Sequence, residues 1–310
     1  MKKITCTFRS GILSLVLAAA MLLAALTACS GTTAREANGS VSLPPEAESS
    51  AAADASPDPA DGSGDPAEGS GDQSVPPAVE ADSDEPYPNL YARQEEKTDD
   101  NTQKIIYLTF DDGPSENTEK ILDTLDRYGI KATFFVTGQY GTKEERETRY
   151  QKILDSGNVI GLHTFSHNYD KIYASTDAFL KDLNKIYTEV YEATGFRASL
   201  IRFPGGSVSQ HNQHICKELI QEIEGRGFTY HDWAVSCGDA EGKQLSASTI
   251  AEETVKACAD RTKSVVLFHD TPSQGETVKA LPSLIESLMS KGYEFRALDP
   301  SVKPFHFVIE

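Results

Sequence analysis

Residues 105–115, IIYLTFDDGPS, end an apolar run in two adjacent carboxylates, Asp111 and Asp112, followed by Gly113 and Pro114. Neighbouring like charges repel, so the doublet calls for a cation or a shared proton close by. Further along, the segment GLHTFSH places His163 and His167 four residues apart after a second apolar run. On a turn or a first helical turn both rings can face the same way. Two imidazoles and one carboxylate make a three-ligand site with an open position, as catalytic zinc requires. The doublet then reads as a division of labour. One carboxylate binds the cation, and the other stays free as a base for a water whose pKa the metal lowers. Each signal also has a plainer reading. Asp-Asp-Gly-Pro is ordinary turn composition, and an isolated HxxxH describes two surface or internally satisfied histidines.

What favours chemistry is the set of elements that must position these groups. Strand candidates lie at 105–110, 132–136, 159–163, 200–203, 229–235, 264–268 and 294–297. Amphipathic helix candidates between them lie at 118–128, 144–156, 176–193, 211–226, 247–260 and 277–291. In the first of these, Ile121, Leu122 and Leu125 share one face by three- and four-residue spacing. Strands alternating with helices imply an α/β fold with a parallel sheet and right-handed crossovers. Periodicity leaves a barrel and an open doubly wound sheet equally open. In both, chemistry assembles at the C-terminal ends of the strands. Asp111 and Asp112, His163, Arg202, Asp239 and His269 all fall at or just beyond such ends.

With those residues in place, the chain resembles the polysaccharide deacetylases of carbohydrate esterase family 4. The likeness covers roughly residues 104–298 and rests on five motifs in order. They are Thr109-Phe110-Asp111-Asp112-Gly113-Pro114, His163-Thr164-Phe165-Ser166-His167, Arg202-Phe203-Pro204-Gly205-Gly206, the region 233–239, and Leu267-Phe268-His269. The resemblance implies a distorted, incomplete (β/α) barrel of about seven parallel strands. It implies Asp111 as catalytic base, and Asp112, His163 and His167 as ligands of one divalent ion, zinc first, with cobalt, nickel or manganese as alternatives. His269 would be the general acid. Arg202 would hold Asp111 ionised, and Asp239 would orient His269 or favour its protonated form. The backbone near Gly205 would stabilise an oxyanion, Leu267 would line the acetyl pocket, and Trp233 is a groove wall or plain core. One departure concerns Asp239, which Ala240 follows where the family often has Trp. His211, His214, His231 and His306 have no motif partner and read as structural or surface residues.

The remaining sequence bounds the setting. The chain of 310 residues opens MKKITCTFRS and continues GILSLVLAAAMLLAALTA, a basic stretch before an apolar one, as in export signals. Leu26-Thr27-Ala28-Cys29 resembles a lipobox, so residues 1–29 are expected to be a lipoprotein signal with Cys29 lipidated. An uncleaved membrane anchor is the alternative. Residues 30–101 are rich in Pro, Gly, Ser, Ala and acid, which predicts a disordered tether. They supply most of the net charge of −18. No basic patch stands out, which argues against a nucleic-acid partner. Residues 102–310 then form one catalytic domain, outside the cytoplasm and held at the membrane by lipid. Its cysteines, Cys216, Cys237 and Cys258, are odd in number and lack metal-site spacing. They are expected to be buried, with a single disulfide as the alternative; Cys237, close to Asp239, could also be redox-sensitive. Family and location together point to a polysaccharide substrate, peptidoglycan first. Chitooligosaccharide deacetylation, xylan O-acetyl esterase activity and a non-catalytic glycan-binding lipoprotein are the other readings. Oligomeric state is not legible.

Overall fold

The computed structural model describes residues 86–98 and 103–308. The export signal, Cys29 and residues 30–85 of the expected tether lie outside them. No helix among the described residues is long and apolar enough to cross a membrane.

Strand β1 (Ile105–Asp111) is buried along its whole length. Successive side chains of a strand point to opposite faces, and β1 feeds two cores in this way. Ile106, Leu108 and Phe110 join the large cluster beneath the helices. Ile105 and Tyr107 join a smaller one with Phe135, Leu200, Val265 and Leu298. Burial on both faces explains why this run is continuously apolar instead of alternating.

The further strands are β2 (Thr133–Val136), β3 (Val159–Leu162), β4 (Leu200–Ile201), β5 (Thr229–Tyr230), β6 (Val235–Ser236), β7 (Lys263–His269) and β8 (Glu294–Phe295). The helices are α1 (Thr118–Arg127), α2 (Lys143–Asp155), α3 (Tyr169–Ile172), α4 (Thr176–Thr194), α5 (Cys216–Gly225), α6 (Ala247–Cys258) and α7 (Gly275–Ser290). Local signals set several boundaries. Thr142 and Glu145 form a reciprocal capping box on α2, and Ser175 caps α4, which Gly195 ends at a φ of 72°. All strand pairings are parallel, in the order β5-β4-β3-β2-β1-β7-β6, with β8 also paired to β1.

That order forces curvature. β5 and β6 are the two edges of the path, yet only residues 231–234 separate them. Five extended residue steps span about 17 Å at most. The edges of a flat seven-strand sheet would be about 29 Å apart. The sheet must therefore curl until its edges approach, and it is closed there by chain instead of by a ladder. The C-terminal segment fills the seam: Asp232 N donates to Phe305 O (2.7 Å), and Phe307 sits edge-on to Trp233. The result is the incomplete, distorted (β/α) barrel expected above.

Three boundaries differ from the sequence reading. The candidate 229–235 is two strands, because the chain passes from one sheet edge to the other within it. α5 starts at Cys216 instead of 211, because Asn212 ties the preceding loop, accepting from Ser209 N and donating to Gly206 O. Residues 86–98, placed by composition in the tether, pack on the domain. Leu90 is fully buried, Arg226 donates to the carbonyls of Tyr87 and Leu90, and Thr98 bridges to Val302. One leucine and a row of backbone carbonyls hold this strap, which an averaged composition cannot register. Cys216, Cys237 and Cys258 are buried thiols, with no disulfide among the described residues.

Candidate active site and metal centre

Sheet register brings the site together. Asp111 lies beside His269 across β1 and β7, and Thr109 beside Leu267. Leu162 pairs with Ile201, so His163 and Arg202 emerge side by side from β3 and β4. Strand neighbours in register show their side chains on the same face, here the barrel interior. At Gly161 a Cβ would collide with the Phe135 ring. Arg202 in turn lies over that ring, its guanidinium carbon 4.2 Å from the centroid.

On a regular strand the carboxylates of Asp111 and Asp112 would point to opposite faces. Asp112 instead takes a φ of 72°. That left-handed turn returns its side chain to the side of Asp111. His163 Nε2 is 3.6 Å from Asp111 Oδ2 and also 3.6 Å from Asp112 Oδ1. Thr164 (φ 65°) and His167 (φ 47°) share the left-handed region. Such conformations cost of order 1–3 kcal/mol each in residues other than glycine and persist only where the surroundings over-determine them. Three of the four such residues among those described belong to this site.

The surroundings of Asp112 do over-determine it. The carbonyl of Asp111 accepts from Asp270 N (2.7 Å), that of Asp112 from Thr137 Oγ1 (2.7 Å), and that of Gly113 from Thr137 N (2.6 Å). The buried Asp270 carboxylate closes the turn through Ser115 Oγ and Thr118 Oγ1. A side chain at Gly113 would run into Asp270. With only hydroxyl partners, burial pushes the Asp270 carboxyl up to about 7.

Asp112, His163 and His167 each offer one ligand atom, all within 4.8 Å of one another. His167 Nε2 is 3.2 Å from Asp112 Oδ1. His163 Nδ1 is 2.7 Å from the carbonyl of Arg202. A carbonyl only accepts, so Nδ1 carries the proton and Nε2 keeps its lone pair. Burial, then the neighbouring His167, hold the His163 imidazole well below its usual range, so it is neutral, as a ligand must be. Asp112 Oδ1 is buried with no hydrogen-bond partner. A buried carboxylate oxygen left unpartnered between two imidazoles fits a divalent cation and is otherwise costly.

Beside this triad, Arg202 is fully buried. Its Nη1 donates to Asp111 Oδ1 (2.8 Å) and to Thr109 Oγ1 (2.7 Å). Nε and Nη2 donate to the carbonyls of His231 and Asp232. Burial raises the Asp111 carboxyl to about 6, despite the opposing charges of Arg202 and His269. A carboxylate poised there suits proton transfer near neutral pH.

On the far side, His269 Nδ1 is 2.7 Å from Asp239 Oδ1, and His269 N donates to Asp239 Oδ2 (3.0 Å). Thr277 Oγ1 gives the same carboxylate a third bond (2.8 Å). Burial alone would lower the His269 imidazole. The hydrogen bond and charge of Asp239, with the charges of Asp111 and Asp112, overcome it and raise the ring to about 9. Asp239 itself is held below its ordinary value, because the His269 and Thr277 donors outweigh its burial. The departure at Ala240 thus leaves the Asp239–His269 pairing intact.

The outer residues frame the cavity. Leu267 is buried one inward position below His269. Trp233 is half-buried between the Arg202 guanidinium (5.9 Å) and Phe307 (4.9 Å). It also lies where a Cβ at Gly206 would touch it. Gly205 is exposed at a φ of 75°, against Tyr169, whose ring meets that of His167 edge-on at 5.2 Å. Sequence reasoning missed Tyr169, Asp270 and Asp182, and placed His211 outside any motif although it stacks on Tyr169 at 4.3 Å. Asp270 stands directly after His269 and was within reach of motif reading. The others, Tyr169 on α3, Asp182 on α4 and His211 in a loop, reach the site only through packing in the folded chain.

With that geometry in view, comparison with known proteins is informative. The polysaccharide deacetylase family matches residues 98–229. YheN of Bacillus subtilis, named for the same family, is 31% identical, covering 71% of this chain and 76% of that protein. A peptidoglycan-N-acetylglucosamine deacetylase of Bacillus cereus is 30% identical over 63% of this chain and 69% of its own length. Among solved structures, the catalytic domain of peptidoglycan N-acetylglucosamine deacetylase from Eubacterium rectale is 34% identical. It aligns with a TM-score of 0.65 over 70% of this chain and 97% of that one.

Proposed function

The chain belongs to the polysaccharide deacetylase family, and on that premise we propose that it removes N-acetyl groups from the amino sugars of peptidoglycan with a divalent metal, zinc first. The observation that carries this reading is the buried, unpartnered Asp112 Oδ1 between His163 and His167, with the Asp111 carboxylate 3.6 Å from the same imidazole.

Asp112, His163 and His167 would hold the ion, which when bound polarises an acyl oxygen and acidifies water. Asp111, aimed by Arg202, accepts the proton of the attacking water. His269 has Nδ1 committed to Asp239, so the proton it gives to the departing amine nitrogen sits on Nε2. Asp239 keeps that ring charged and oriented. The amide near Gly205 donates to the acyl oxygen as negative charge builds; such donors are worth about 2.7–4 kcal/mol. Leu267 and Trp233 line the space for the acetyl methyl. No covalent intermediate with the protein is needed.

The peptidoglycan assignment draws on the named substrate of the relatives and on the N-terminal sequence. Lipidation at Cys29 after export would hold the domain on the outer face of the membrane, within reach of the wall; Cys29→Ser is expected to release it from the membrane fraction. The deciding experiment incubates the protein with purified peptidoglycan, with and without chelator, and measures acetate and the sugar products by mass spectrometry. Acetate release that chelator abolishes and zinc restores is expected, with free amino sugars among the products. Equal release in chelator would exclude a metal-assisted reaction, and no release in either would leave a glycan-binding protein.

A further inference from the structure

Segment 163–168 carries two of the three candidate ligands and two of the left-handed residues, Thr164 and His167. His163 is fixed independently, by the end of β3 and by its bond to the Arg202 carbonyl. His167 has no such strand beneath it, so its aim depends on whatever holds the turn between them. Phe165 and Ser166 form that turn. Both of their backbone N–H groups donate to one oxygen, Asp182 Oδ1, at 2.6 and 2.8 Å.

Asp182 lies on α4, a rigid support. α4 is tied to α2 by the buried two-point pair of Arg146 and Glu189 at 2.7 and 2.9 Å. The Phe165 ring rests between cations from the same two helices, Lys185 Nζ at 3.4 Å and the Arg146 guanidinium at 5.6 Å from its centroid. The outer carbonyls of the turn are also held. Gly138 N donates to Phe165 O (2.9 Å), and Gln139 Nε2 to Ser166 O (3.1 Å). Among these contacts only Asp182 brings a charge to the backbone itself, and an ionised acceptor makes the strongest hydrogen bonds of the set.

We propose that Asp182 is a positioning residue for the metal centre: its carboxylate grips the two central amides of the 163–167 turn and so aims His167 at the point already defined by Asp112 and His163. This rests on the metal reading above. Without that grip the two amides turn to water, the left-handed residues relax, and His167 leaves the set.

The test is the zinc dissociation constant of the full-length chain, measured by competition with a chromophoric chelator. Asp182→Ala is expected to weaken zinc about 10- to 100-fold, the usual effect of removing a group that orients a ligand. Asp182→Asn keeps an oxygen that accepts the same two bonds but loses the charge that strengthens them, and is expected to fall between the Ala variant and the natural chain. Leu90→Ala, a loss of packing in the strap, serves as the reference for general destabilisation and should leave zinc affinity unchanged. Natural affinity in Asp182→Ala, an Asn variant as weak as the Ala one, or an equal loss of zinc in Leu90→Ala would each overturn the assignment. If the natural chain bound zinc no better than Asp112→Ala, the metal reading would fall and this inference with it. Tight natural binding, weak binding in Asp112→Ala and unchanged binding in Asp182→Ala would overturn the role of Asp182 alone.

Discussion

Two aspartate–histidine groups face each other across the mouth of the barrel and are built in opposite ways. Asp239 is saturated: its carboxylate takes three bonds, from His269 N, His269 Nδ1 and Thr277 Oγ1. Asp112 is left open, with Oδ1 buried and unpartnered beside two imidazole nitrogens. The saturated carboxylate acts on its histidine, holding the ring charged well above its ordinary range. The open one has acceptor capacity to give, and no hydrogen bond among the described residues takes it. Similar residue types thus suit a proton donor on one side and a cation site on the other. The difference lies in how many lone pairs the fold has already used.

Substitutions sharpen this contrast. The largest effects are expected at the open side. Asp112→Ala should lose bound metal, measured by elemental analysis, and activity with it. Asp111→Asn should keep the metal and lower kcat by about 10²–10⁴-fold, as removal of a general base does. A normal rate in Asp111→Asn would refute the division of labour between the neighbouring carboxylates.

Between the two groups stands the Arg202–Asp111 pair, fully desolvated at 2.8 Å. Arg202→Met should cost about 3–5 kcal/mol of stability, because it strands a buried carboxylate. Urea denaturation of the natural and variant chains measures this. A loss within error of zero would mean that the pair aims Asp111 without holding the barrel.

The smallest change in rate at neutral pH is expected at the saturated side. In the proposed reaction His269 gives its proton only while charged, so kcat/KM should fall as pH rises through about 9. Asp239→Asn removes the main influence that raises this ring. The alkaline limb should then move to lower pH, toward the ordinary imidazole value of about 6.5, with metal content unchanged. A limb that stays in place would assign the alkaline titration to another group.

Much of this was legible in the chain. The strand–helix alternation announced a parallel α/β fold, and the ends of the apolar runs marked the rim where Asp111, His163, Arg202 and His269 stand. Those positions follow from local chemistry, since a strand buried on both faces stays mostly apolar until its end, where charged groups can find partners on neighbouring strands. The split of 229–235 was hidden, because a run of sequence does not disclose that its two halves join opposite sheet edges. The strap 86–98 was hidden because its attachment is made largely by backbone carbonyls. Asp182 was hidden because its partners are amides of another segment, and amides have no letter in the sequence.

By itself, then, the sequence determined which groups could do chemistry and which end of the sheet they would occupy, through side-chain type and the periods of strand and helix. Tertiary structure alone decided the rest. It turned Asp112 through a left-handed backbone so that adjacent carboxylates share one face, and it filled the acceptors of Asp239 while leaving Asp112 Oδ1 without a donor. Facing direction and hydrogen-bond saturation depend on what distant segments bring within 3 Å or so of an atom, and that is a property of the folded chain.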